Sequence, residues 1–247
     1  MDSNQFNEIS QYYDELMHGV PYKYWVAYIE NIFRVLDIEP VEILDVACGT
    51  GMVSNLLSER NYKLTGFDLS ESMIKVAKGK YPHIDFYCQN AKDFELNKTF
   101  DVAISLFDSL NYIINKSDLQ SAFRQVYKHL KSPGYFIFDM NTEYALANDF
   151  FAQVNLSPDA YPQYIWEPDW NDRDKICTVN MTFIVKDEKG KKREFKEVHI
   201  QRAYGIEEIT YMLKACGFNV LNVYSAYRFN KPTKRSDRVY FVAKREE

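Results

Sequence analysis

Apolar positions recur at helical spacing from Phe6 to Leu36, at Phe6, Ile9, Tyr24, Val26, Ala27, Ile29, Ile32, Phe33 and Leu36, and His18-Gly19-Val20-Pro21 interrupts the run. The pattern predicts two helices joined by a turn. The period then shortens: residues 41–47 form an apolar, partly β-branched run that ends in Cys48-Gly49-Thr50-Gly51, and Val53, Leu56 and Leu57 resume helical spacing. Strand, glycine turn and helix follow one another. The cycle repeats with a strand over 63–68 and a helix that starts behind Ser70, a residue able to cap it, and reaches about Lys80. Further strands are predicted at 84–88, 100–106 and 135–140, with a helix over 117–130. Such alternation implies a parallel sheet with helices on both faces.

After Met140 the rhythm changes. Residues 178–185 and 195–204 are long strand-like runs joined by Asp187-Glu188-Lys189-Gly190 with no helix between them. An antiparallel β insertion, a cap after the fifth strand, is therefore expected over 143–204, leaving 1–142 and 205–247 as the sheet domain with N-terminal lid helices. A helix over 206–216 stops at Gly217, and strands at 218–224 and 239–243 complete seven. Their connection suits a hairpin, so the last strand enters antiparallel.

Composition narrows the function. The 247 residues include 46% hydrophobic and 26% charged side chains, which excludes a disordered tail protein. The 19 Tyr and 17 Phe supply many flat walls, and tyrosine gives them polar edges. Thirty basic residues against 35 acidic ones give a net charge of −5, which argues against a broad nucleic-acid surface. Cys48, Cys88, Cys177 and Cys216 form no CxxC pair, so no zinc site, other metal site or redox couple is expected. Apolar runs fall short of the roughly 18 residues of a membrane span, and MDSNQFNEIS is polar rather than signal-like, so a cytoplasmic location is expected.

A strand that ends in a glycine turn opening a helix is a nucleotide-binding device, because glycine admits close backbone approach and the helix offers unpaired amides. A dinucleotide fingerprint needs a third glycine where Ser54 stands. The string Leu44-Asp45-Val46-Ala47-Cys48-Gly49-Thr50-Gly51 instead resembles motif I of the class I S-adenosylmethionine-dependent methyltransferases, with Asp45 in the acidic place. It is similar to the corresponding string of glycine N-methyltransferase, and the chain resembles the aminosugar N-methyltransferases as well. Asp68, 19 residues after Gly49, matches the acid that pairs with both ribose hydroxyls. Leu69 and Met73 match the adenine face, Asn90-Ala91 the adenine edge, Phe100-Asp101-Val102 the entry to strand four, and Leu130-Lys131-Ser132-Pro133-Gly134 the turn before strand five. The match covers about residues 40–142. Two departures stand out: Ala47 replaces the first loop glycine, which requires a negative φ, and Asn90 stands where many relatives have Asp.

The resemblance implies a Rossmann-like, seven-stranded, mostly parallel sheet and methyl transfer from S-adenosylmethionine. It assigns cofactor contacts to Asp45, Ala47, Cys48, Gly49, Gly51, Asp68, Leu69, Met73, Asn90 and Ala91, to Tyr13 and Trp25 in the lid, and to Leu106-Phe107-Asp108 at the end of strand four. Asp108 has a second reading, as a cap on the turn behind it. Neither the Pro-Pro motif of DNA amino-methylating enzymes nor a Pro-Cys nucleophile follows strand four. In the cap, Glu197, His199 and Gln201 alternate with Val198, Ile200, Arg202 and Tyr204, so the polar face is either a substrate wall or an outer, solvated face. Tyr112, His199 and Arg202 are candidate substrate residues. His199 is the candidate base, because an imidazole titrates near neutrality, and Tyr13 is the other catalytic candidate. The basic runs 189–193 and 231–238 read as solvated turns. The expected function is methyl transfer to an N or O atom of a small molecule. The alternatives are a tRNA or rRNA acceptor, or a non-catalytic S-adenosylmethionine-binding protein.

Overall fold

The computed structural model describes residues 5–148, 150–157, 162–186 and 190–246. Seven strands form one sheet in the order β10-β11-β5-β4-β1-β2-β3, with β1 (Glu42–Val46), β2 (Lys63–Asp68), β3 (Asp85–Cys88), β4 (Phe100–Ser105), β5 (Leu130–Asn141), β10 (Phe218–Ser225) and β11 (Arg238–Arg245). The strands from β5 to β3 in that order run parallel, and β11 lies antiparallel to both β5 and β10. The central strands are apolar on successive residues because helices cover both faces. Phe136 and Phe138 point to one side, where α5 (Lys116–His129) and α7 (Ile206–Ala215) add Phe123 and Leu213. Ile137 points to the other, where α2 (Tyr22–Val35), α3 (Met52–Ser58) and α4 (Glu71–Lys80) add Ile29, Leu57 and Ile74.

Local signals behave as expected at several ends. The Ser70 hydroxyl accepts from the Met73 N–H and caps α4. Gly217 takes φ +97 behind α7, where a Cβ would lie 2.9 Å from the Tyr127 ring. The first predicted helix is shorter than its apolar spacing suggests. Only a 3-10 turn at Ile9–Gln11 and α1 (Tyr13–Leu16) form, because the backbone of residues 6–9 is tied by hydrogen bonds to the side chains of Ser70 and Glu197.

The cap is a four-stranded antiparallel sheet of β6 (Gln153–Asn155), β7 (Gln163–Asn171), β8 (Ile176–Lys186) and β9 (Lys192–Arg202), approached through the short α6 (Glu143–Ala147). Strands β8 and β9 were legible in the sequence; β6 and β7 were not. Pro168 sits inside β7, where a proline argues against a strand, but β6 pairs only with Tyr164 to Trp166, so Pro168 lies where β7 has a neighbour on one side only. The expected turn residues Asp187, Glu188 and Lys189, and residues 1–4 of the polar N-terminus, lie outside the described residues. Among the described residues no helix is long and apolar enough to cross a membrane, and no cluster of His, Cys, Asp and Glu side chains suits a metal ion.

The basic run 231–238 is not wholly a solvated turn. Arg238 opens β11 and turns its side chain inward onto two carboxylates. The polar face of β9 is likewise the inner one. Glu197, His199 and Gln201 are 6%, 2% and 3% exposed, whereas Val198 is 48% exposed on the other side. The outer-face reading of this strand is therefore overturned, because partners in the core sheet and the N-terminal segment satisfy the buried polar atoms.

Candidate functional site

Three left-handed residues shape the turn after β1: Ala47 at φ +59, Gly49 at φ +55 and Gly51 at φ +78. A Cβ on Gly51 would meet the Phe86 ring at 2.6 Å, so that glycine is required by packing as well as by φ. Ala47 does not take the negative φ expected of it. It holds the conformation a glycine would adopt freely, at a cost of about 1–2 kcal/mol for a residue with a Cβ.

Asp45 is buried beneath this turn and accepts a 2.6 Å hydrogen bond from the Ser54 hydroxyl. The residue that breaks the dinucleotide pattern is thus the partner of the motif acid. Burial pushes the Asp45 carboxyl up to about 7, Ser54 opposes the shift and Asp68 adds to it. An acid with a higher pKa folded than unfolded holds its proton more tightly in the fold. Its contribution to stability is therefore full below about pH 4, the unfolded value, and is lost as the pH rises toward 7. Melting curves between pH 4 and 8 should be flatter for Asp45→Asn than for the parent; parallel curves would discard this assignment.

Asp68 ends β2 and ties the loop to the next helix. Its Oδ2 accepts from the Gly49 N–H and its Oδ1 from the Ser70 N–H, both at 2.9 Å. Burial raises its pKa, and those amides oppose the rise. The lid is fastened to the same loop, since the Thr50 hydroxyl donates to Asp14 at 2.6 Å and Lys80 pairs with Asp14. Neither Thr50 nor Asp14 was identified from the sequence.

A cavity of about 440 Å³ extends from this loop to the inner face of the cap. Of the sequence-predicted residues, Tyr13, Trp25, Asp45, Ala47, Cys48, Gly49, Asp68, Leu69, Met73, Ala91, Leu106, Phe107, Asp108, Tyr112 and His199 line it. Gly51, Asn90 and Arg202 do not. Gly51 packs on Phe86; the Asn90 amide oxygen accepts from the Lys92 N–H at 3.2 Å in a local turn, while its neighbour Gln89 reaches the cavity; Arg202 donates to the Ile114 carbonyl at 3.2 Å.

At the far end, Phe107 and Asp108 are consecutive left-handed residues, at φ +66 and +51. Asp108 precedes the 3-10 turn Ser109–Tyr112 without capping it through its side chain. Its carboxylate accepts from Arg238 Nη2 at 2.6 Å and from Gln201 Nε2 at 2.5 Å, while Arg238 Nη1 donates to Asp139 at 2.9 Å and the Asp108 N–H donates to Asp139 at 2.6 Å. Four elements meet in this network. Arg238 was read from the sequence as part of a solvated turn and Asp139 was not singled out, although a charge inside the apolar run of β5 was an available signal, because a buried charge needs a partner.

A second polar group lies beside it. The Glu197 carboxylate, which only accepts, takes a 2.9 Å hydrogen bond from His199 Nε2, so that nitrogen carries a proton, and in the neutral ring Nδ1 accepts from the Tyr112 hydroxyl at 3.1 Å. Burial pushes the Glu197 pKa up, but the His199 and backbone hydrogen bonds outweigh it and hold the carboxyl below its ordinary range. Both imidazole nitrogens are engaged within the protein. The same carboxylate accepts from the N–H groups of Phe6, Glu8 and Ile9 at 3.1, 2.9 and 3.0 Å. The Ser70 hydroxyl donates to the Phe6 carbonyl at 3.2 Å, so residues 6–9 form a strap from α4 to β9. The Phe6 ring closes it, 4.4 Å from His199 and edge-on.

Glu197→Gln should release this strap, since an amide nitrogen replaces an oxygen that accepts from backbone N–H groups. Hydrogen exchange at residues 6–9 should accelerate by about tenfold or more, the equivalent of one hydrogen bond to a charged group. Unchanged protection would show that other contacts hold the strap.

Residues 43–134 match the family model described as a methyltransferase domain. A Geobacillus sp. (strain WCH70) protein that bears a methyltransferase name is 31% identical over 97% of this chain and 99% of its own. The crystal structure of an S-adenosylmethionine-dependent methyltransferase from Clostridium acetobutylicum ATCC 824 is 30% identical, with a TM-score of 0.85 over 99% of this chain and all of that one. A dTDP-3-amino-3,6-dideoxy-alpha-D-glucopyranose N,N-dimethyltransferase of Streptomyces fradiae is 27% identical over 53% of this chain and 52% of its own.

Proposed function

This chain belongs to the S-adenosylmethionine-dependent methyltransferases, with S-adenosylmethionine as cofactor, and on that premise we propose that it methylates a nitrogen or oxygen atom of a small molecule held beneath the cap. The observation that carries this reading is the continuous cavity joining the glycine loop to the Tyr112–His199 pair under the strap and the cap. A site recessed beneath a cap in this way favours a small acceptor over a polymer. The name of the Streptomyces fradiae relative, which gives a nucleotide-linked aminosugar, adds support for a small acceptor as such and not for that particular compound.

The lining suits the cofactor's chemistry. Asp68 offers a carboxylate for the two ribose hydroxyls, beside a glycine turn open to close approach. Leu69 and Met73 would flank the adenine, with Ala91 and Gln89 at its edge, and the aromatic faces of Tyr13, Trp25 and Phe107 would enclose the methionine end. Asp45 supports the loop from below, through Ser54. When bound, the cofactor supplies an electrophilic methyl carbon on a sulfonium.

The protein then has to hold the nucleophile, exclude water and receive a proton. Phe6 and Tyr13 close the cavity on the strap side. The Tyr112 oxygen can take a proton from the acceptor as its own proton passes to His199 Nδ1, and Glu197 stabilises the resulting imidazolium. Tyr112 is thus the group that touches the acceptor, with His199 behind it. Incubation with methyl-labelled cofactor and separate pools of amines, aminosugars, hydroxy compounds, tRNA and rRNA tests the proposal. Label in a small-molecule pool supports it; label confined to RNA overturns it.

A further inference from the structure

The cap sheet presents two unlike halves to the cavity, and these narrow the small-molecule reading on which the inference rests. The strand register sets Tyr164 opposite Phe183 and Trp166 opposite Met181, with Met181 in turn opposite Glu197. The β7 and β8 half is aromatic and thioether surface, whereas the β9 half carries His199 and Glu197. Tyr164, Trp166, Met181, Phe183 and His199 all line the cavity. An acceptor seated there meets apolar walls along its body and the Tyr112–His199 pair at one end.

A further feature limits its chemistry. Among the described residues, Arg238 is the only Lys or Arg lining the cavity, and both Asp108 and Asp139 already neutralise it. A phosphate or carboxylate entering this space would lose its water, find no free cation and face Asp108. An ammonium group meets the opposite conditions: a carboxylate nearby, and the rings of Phe6, Tyr13 and Tyr112 around it.

We propose that the acceptor is an amphipathic amine without anionic groups. Its flat, apolar body lies against Trp166 and Met181, and its amine nitrogen lies at Tyr112. The amine gives its surplus proton to the Tyr112 oxygen, whose own proton passes to His199 Nδ1. The nitrogen lone pair then forms the N–C bond, and the electron pair of the breaking C–S bond stays on sulfur, leaving a neutral thioether. A nucleotide sugar, with its diphosphate, does not fit this space.

Calorimetry on the full chain saturated with S-adenosylhomocysteine tests this with three probes: phenethylamine, glucosamine and a thymidine-diphosphate aminosugar. Phenethylamine should bind at least tenfold more tightly than glucosamine, and the nucleotide sugar should not bind. Trp166→Leu, which removes the flat ring, should weaken phenethylamine about five- to tenfold, and Tyr164→Leu, a second variant on the same wall, should weaken it as well. Failure of phenethylamine to bind, preference for glucosamine or the nucleotide sugar, or indifference to both variants overturns the inference. In the methyl-transfer assay, label on the nucleotide sugar would sink this inference and leave the small-molecule reading standing; label only on RNA would sink both.

Discussion

Arg238→Met should destabilise the protein by about 3–5 kcal/mol, the usual cost of removing one partner from a buried ion pair. For a chain of this size that corresponds to a fall in Tm on the order of 10 °C. The physical reason is the environment of the two carboxylates left behind. Asp139 is 0% exposed, and Asp108 retains only Gln201 as a side-chain donor. Burial already holds the Asp108 pKa above the ordinary carboxylate range, with Arg238 opposing and Asp139 reinforcing the rise. Removing Arg238 raises it further, so the variant takes up a proton more readily on folding and its deficit should shrink as the pH is lowered toward 5. A second change, Asp139→Asn, should recover part of the loss. Equal Tm values for parent and Arg238→Met would show that the network contributes little. The experiment also separates Arg238 from a ligand role, since it reads the free protein alone.

Asp68→Ala should weaken S-adenosylmethionine binding by about 1.5–3 kcal/mol, the range for hydrogen bonds to a charged group, or roughly 10- to 150-fold. The carboxylate has two tasks. It fixes the Gly49 and Ser70 amides, and it would receive the ribose hydroxyls. Asp68→Asn divides them, because the amide oxygen can still accept one backbone N–H while the charge is gone, and its affinity should fall between the parent and Asp68→Ala. Calorimetry with S-adenosylmethionine, and with NAD in parallel, gives the reading. Unchanged affinity in Asp68→Ala would remove the residue from this role, and tight NAD binding without S-adenosylmethionine binding would contradict the cofactor.

Much of the core sheet could be read from the chain because its signals are local. A β-branched run, a glycine turn and a helical period lie within about 20 residues of one another, and Asp45, Gly49 and Asp68 fall at fixed places in that rhythm. The conformation of Ala47 could not be read, since an alanine in sequence is no guide to a left-handed φ that the surrounding loop imposes. The acceptor end was less legible, because its chemistry depends on partners far apart in the chain. Glu197 binds backbone groups about 190 positions away, Arg238 meets Asp108 across 130, and Tyr112 meets His199 across 87. Alternation along β9 was visible, but which face turned inward was set by those distant partners. Trp166 was hidden in a strand whose proline and polar residues mask its period.

The strap has a kinetic consequence. While Glu197 holds the amides of residues 6, 8 and 9, Phe6 remains seated beside His199 and Tyr112. Any displacement of Phe6 then requires several hydrogen bonds to the main chain to break, a segmental motion of the microsecond-to-millisecond class. Each such opening would also strip Glu197 of the donors that hold its charge in place beside His199. A step that moves the Phe6 ring would accordingly be paced by how often a short stretch of main chain lets go.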